Sequence, residues 1–136
     1  MSASFKVVII LTAEAHHAEV LSGIHKQFKD FFDYSEQAVY IYLDDHHVVW
    51  NKKFGELVGY ATPAAAFKSK KHFLELFVDA SSQKKLVKAF SNAMESGAGS
   101  SNTIVWKHKS GKKKKTTTIL VPIPYDGHLL ALHFIQ

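Results

Sequence analysis

The chain is 136 residues long, 46% hydrophobic and 21% charged, which is one ordinary globular domain's worth of sequence. It contains no cysteine, which excludes disulfides, thiolate metal sites, a cysteine nucleophile and a cysteine-linked chromophore, and fits a cytoplasmic setting. The net charge of +5 is local: Lys107, Lys109 and Lys112 to Lys115 form one basic patch, and without them the chain is close to neutral. There is no arginine to make the bidentate contacts of specific nucleic-acid readout, so such binding is not expected.

Phe5 to Leu11 (FKVVIIL) is apolar but far short of the ~20 residues of a membrane span, and short for a signal-peptide core. It reads as a strand or as the first turns of the next helix. From Thr12 to Phe32 apolar residues recur at helical spacing, with Thr12 placed to cap and Glu14 in the first turn. Residues 1–33 are thus an N-terminal segment ahead of a domain over 34–136. The apolar stripe covers either the domain's own sheet or a second copy. The expectation is a homodimer that uses Val20, Leu21, Ile24, Phe28 and Phe31.

Ala38 to Leu43 and His47 to Trp50 read as a hairpin around aspartates that tolerate left-handed backbone. Asn51 stops the second strand and caps a short helix carrying Phe54 and Leu57. Gly55 inside that helix costs about 1 kcal/mol relative to alanine and is expected where something packs close. Thr62-Pro63 starts another short helix, His72 to Val78 a third, and Ser81 or Ser82 caps a longer one whose ridge is Leu86, Phe90 and Met94, ending at Gly97. Three strands follow, over Thr103 to His108, Thr116 to Ile123 and His128 to Ile135; Asp126-Gly127 is a strong hairpin signal. The order predicts an α+β domain, a five-stranded antiparallel sheet with short helices packed on one face, preceded by an amphipathic helix.

Four of these stretches resemble the PAS family of signalling domains. AVYIYLDDHHVVWN (38–51) is similar to its opening hairpin, and NKKFGELVGY (51–60) to the helix that follows, at Asn51, Phe54, Leu57, Gly59 and Tyr60. FVDASSQKKLVKAFSNAMESG (77–97) resembles its long connecting helix, with Ser82 where an acidic cap is common. WKHKSGKKKK and VPI…DG (106–127) resemble its later hairpins. The resemblance implies a sensory or protein-interaction domain in signal transduction, with a cleft between sheet and helices. By expected strand alternation the cleft is lined by Ile41, Val49, Phe54, Leu57, Phe77, Leu86, Phe90, Val105, Ile119, Val121 and Leu132. The cysteine of flavin-binding light sensors is missing, and so is a histidine in the connecting helix, the proximal ligand of haem-binding members. Covalent flavin and haem are therefore not expected, and any ligand is apolar or heterocyclic and non-covalent. Family members usually continue past the point where Gln136 stands, which implies a stand-alone or excised sensor whose output partner is unspecified.

The nine histidines show no metal-ligand spacing. His46 and His47 point to opposite faces of a strand, and His16 and His17 diverge on a helix, so no metal site is expected. Asp44 and Asp45 sit in a turn with nothing apolar to raise a pKa, and no catalytic residues are assigned. Two other readings are weighed. One is a small cone-fold isomerase or hydrolase with a buried carboxylate partnered by Tyr40, Tyr42 or Tyr60. The other is a basic-hairpin nucleic-acid binder.

Overall fold

A computed structural model describes residues 3–136, with side chains from residue 15 onward. Helix α1 (Ala3–Gln27) runs without interruption through Phe5 to Leu11 and Thr12, so it begins earlier than the expected threonine cap. What the Thr12 and Glu14 side chains do lies outside the described residues. Helix α2 (Lys29–Tyr34) follows a single break at Phe28, which offers no side-chain cap. The order then runs β1 (Ala38–Asp44), β2 (His47–Trp50), α3 (Lys52–Val58), α4 (Pro63–Phe67), α5 (Phe73–Phe77), α6 (Ala80–Ser96), β3 (Ser100–Lys107), β4 (Lys113–Tyr125) and β5 (His128–Ile135). The strands form one antiparallel sheet in the order β2-β1-β5-β4-β3, the α+β architecture expected from the sequence.

The sheet is covered on both faces. Helices α3 to α6 pack on one side over Tyr40, Val48, Trp50, Ile104, Trp106 and Ile135. On the other side Val20, Leu21, Ile24 and Phe32 pack over Val39, Ile41, Leu130 and Leu132, with Phe28 at the margin. The apolar stripe of α1 is therefore spent on the chain's own sheet, and Val20, Leu21 and Ile24 are each at most 8% exposed. Of the residues expected at a dimer contact, Phe31 alone is exposed, at 37%. No helix among the described residues is long and apolar enough to cross a membrane.

Local chemistry explains the joints. Asn51 Oδ1 accepts the Phe54 amide at 3.0 Å, which is the expected cap, and also the Val39 amide at 3.0 Å, while its Nδ2 donates to the Gln37 carbonyl at 2.9 Å. One buried side chain thus ties the start of β1 to the start of α3. Gly55 sits where an added Cβ would lie 2.8 Å from the Tyr60 carbonyl oxygen, the close approach its helix cost implied. The long helix begins two or three residues earlier than expected: Asp79, in place of Ser81 or Ser82, caps it by accepting the Ser81 amide, so an acidic cap is present after all. Ser82 instead turns inward and accepts the Val105 amide at 2.9 Å.

The β1–β2 turn also differs in detail. Asp45 and His46 keep negative φ, and the Asp44 carboxylate stabilises the turn by accepting the His46 amide at 2.8 Å. Asp126 and Gly127, with φ of 49° and 75°, form the left-handed pair expected of an Asp-Gly hairpin.

The lysine patch is partly engaged with the chain itself. Lys107 donates to the Glu75 carbonyl, Lys109 lies over the Tyr60 ring and Lys113 bonds Asp79 at 2.8 Å. The hydrogen bond from Lys113, aided by Ser81, holds the Asp79 carboxyl down to about 2.

Candidate functional site

Between the sheet and helices α5 and α6 lies a cavity of about 240 Å³. Its floor is Tyr40 and Tyr42 of β1 and His133 of β5; Phe73 and Leu74 of α5 and Leu86 and Phe90 of α6 form its roof, and Asp45 stands at its rim. Tyr40 and His133 are register partners on adjacent strands and so share a face. Their rings stack with centres 4.1 Å apart and planes 8° from parallel. Phe73 leans on Tyr40 at 5.1 Å, and Phe90 meets Tyr42 edge-on at 5.3 Å.

The polar groups in this aromatic box are few and differ in their needs. His133 is 2% exposed, and its Nδ1 lies 3.2 Å from the Ala131 carbonyl, so Nδ1 carries the proton and Nε2 is left as an acceptor. Burial pushes its pKa down to about 3 against the smaller opposing effect of that carbonyl, so the ring is neutral at physiological pH. Tyr42 Oη donates to Asp45 Oδ1 at 2.6 Å; burial first, and then the Asp45 carboxylate, raises the phenol's pKa. Tyr40 is 1% exposed, its phenol pKa is pushed well up by burial, and its hydroxyl has no hydrogen-bond partner among the described residues. A buried hydroxyl without a partner costs about 1–3 kcal/mol, so Tyr40 Oη is a donor in need of an acceptor.

A larger, open groove of about 930 Å³ runs between α3 and the β3–β4 hairpin. Lysines 53 and 112 to 114 line it together with Glu36 and Glu56, so it carries both signs of charge. The buried Thr116 hydroxyl on its wall already accepts the Trp106 indole N–H at 3.0 Å. The unmet polar demand lies in the smaller cavity.

Among the residues expected to line a cleft, the helical ones lie on the sheet face that holds it: Leu86 and Phe90 line the cavity, and Phe54, Leu57 and Phe77 pack in the adjoining core. The strand residues do not. Ile41, Val49 and Leu132 lie under α1 on the opposite face. Ile119 pairs with Phe134 and Val121 with Leu132 on that same face, and Val105 alternates with the inward-facing Ile104 and Trp106. The expected parity was off by one throughout, because both faces are covered and the buried run Val39-Tyr40-Ile41 offers no alternation to read. Sequence reasoning missed Tyr40, Tyr42, Phe73 and His133 as floor and roof. The available signal was chemical and confined to β1, where Tyr40 and Tyr42 alternate with Ile41 and Leu43.

No family model matches the chain, and no curated protein matches it. Solved structures do. The PAS domain of a protein from Colwellia psychrerythraea superposes with a TM-score of 0.60 at 21% identity, over 83% of this chain and 95% of that one. The PAS domain of an HTR-like protein from Haloarcula marismortui gives 0.60 at 13%, over 90% and 98%. The LOV protein of Rhodobacter sphaeroides gives 0.60 at 15%, over 82% and 66%. This chain therefore has the PAS fold.

Proposed function

We propose that the chain is a sensory or protein-interaction domain of signal transduction, without catalysis of its own, whose cleft takes a small non-covalent heteroaromatic ligand. The observation that carries this reading is the unpartnered Tyr40 hydroxyl in an otherwise aromatic cavity. Such a box favours a flat ring by stacking and dispersion, and Tyr40 Oη supplies one donor to a ring nitrogen or carbonyl. His133 Nε2 supplies a complementary acceptor. At about 240 Å³ the cavity is smaller than the ~300–1,000 Å³ of drug-sized sites, which favours one or two fused rings. The catalytic alternative loses support from the carboxylates: among the described residues none is buried.

The test is a titration of the chain with quinoline and benzimidazole, followed by amide and aromatic NMR shifts. Saturable shifts at Tyr40, Phe73, Phe90 and His133 are expected. Tyr40→Phe, which keeps the ring and removes the donor, should weaken binding about tenfold, the worth of one buried hydrogen bond. Unchanged affinity in that variant, or no shifts at all, rejects the ligand reading.

A further inference from the structure

Away from the cleft, the fold assembles an imidazole–carboxylate cluster that the sequence keeps far apart. His17 comes from α1, while Asp44 and His47 come from the two ends of the β1–β2 turn. Asp44 Oδ2 is 3.0 Å from His17 Nδ1, and Asp44 Oδ1 is 2.8 Å from His47 Nδ1. One ligand atom from each of the three lies within 4.8 Å of the others. His128 adds a third imidazole, its ring centre 5.2 Å from that of His17, and the His16 ring lies 4.9 Å from that of His128.

The backbone is shaped for this meeting. The β1–β2 register slips between Tyr42 and Asp44. Leu43 packs with the α1-side cluster and Asp44 reaches His17 of α1, so two successive residues serve one face, as a bulge allows. His47 is 8% exposed, and the His17 and Asp44 side chains are only about a third exposed, so the cluster is shielded on one side and accessible on the other.

We propose that His17, Asp44 and His47 bind one divalent transition-metal ion of the zinc class, which clips α1 to the β1–β2 hairpin. Two nitrogens and one carboxylate oxygen are a donor set zinc takes, with a fourth position left open. Bonds of ~2.0–2.2 Å put tetrahedral ligand atoms about 3.4 Å apart, so the two Asp44–imidazole edges, now 3.0 and 2.8 Å, need to open slightly. Each imidazole ligates through Nδ1, the atom that faces Asp44, as the neutral tautomer with its proton on Nε2. Because the ligands come from α1 and from the sheet, ion occupancy and docking of α1 are linked. This site is independent of the cleft.

The test uses the untagged chain freed of metal with a chelator, and Zn²⁺ alone as probe, followed by calorimetry and thermal unfolding. One ion per chain and a raised Tm are expected. His17→Ala and Asp44→Asn should each weaken binding at least tenfold and abolish the Tm shift, whereas His25→Ala and His108→Ala should change neither. If the Asp44 variant fails to fold, His17→Ala decides, since that side chain is partly exposed on an outer helix. Absence of Zn²⁺ binding, or binding that survives His17→Ala unchanged, overturns the proposal.

Discussion

Asn51 makes three hydrogen bonds from one buried side chain, so replacing it removes more than a helix cap. A lost cap costs about 0.5–2 kcal/mol, and each buried backbone group left unpaired about 1–3 kcal/mol. Asn51→Ala should therefore destabilise by about 3 kcal/mol in urea unfolding. Asn51→Asp, which keeps both accepted bonds and loses only the donor to Gln37, should cost less. His133 sets a pH dependence. Its ring stays neutral in the fold down to about 3, while the unfolded ring protonates near 6.5. Below pH 6.5 the unfolded chain binds the extra proton, so stability falls as pH falls, by up to about 1.4 kcal/mol per unit towards pH 3. The His133→Phe variant, which keeps a ring against Tyr40, should show a shallower acid slope between those limits in equilibrium unfolding.

Among the elements, α1 has the double role of cover and clip. Ile24 is 1% exposed against Val39, Ile41, Leu130 and Leu132, and truncating such a side chain leaves a cavity over the sheet. Ile24→Ala should cost about 2–3 kcal/mol by calorimetry, the lower part of the usual range because an outer helix can settle inward. Some helix ends were legible in the sequence, since Asn51, Thr62 and Gly97 do what their residue types imply. Thr12 and Ser81 or Ser82 did not mark the starts expected of them, because α1 runs on through Thr12 and Asp79 caps α6. The three hairpin pairings were legible from the turns, whereas the β1–β5 pairing joins strands far apart in sequence and no turn marks it. Strand facing was not, since a strand buried on both sides has no polar face to mark its parity, and β5 with Leu130 to His133 all buried repeats the difficulty. The histidine cluster was illegible for another reason: its members approach through the packing of α1 and a one-residue slip in β1, neither of which a local pattern encodes.

Taken whole, the molecule is a sheet between two unlike covers. The α3–α6 side is aromatic, with Tyr40, Trp50, Phe54, Phe73, Phe77 and Trp106 in one cluster, and the α1 side is mainly aliphatic. Strand β1 belongs to both, since Tyr40 and Tyr42 floor the cavity while Ile41 and Leu43 support α1. Half of the basic patch is turned onto the molecule itself, through Lys107, Lys109 and Lys113, while Lys112, Lys114 and Lys115 stay exposed. The chain has two tryptophans, Trp50 and Trp106, and both indoles lie in the aromatic cluster. Intrinsic fluorescence is therefore a one-sided reporter. In an Ile24→Glu variant, release of α1 should speed amide hydrogen exchange in that helix and in β1 while leaving the tryptophan emission maximum unchanged, whereas opening of the cleft should shift the emission to the red. The light the protein emits thus distinguishes which of its two covers has lifted.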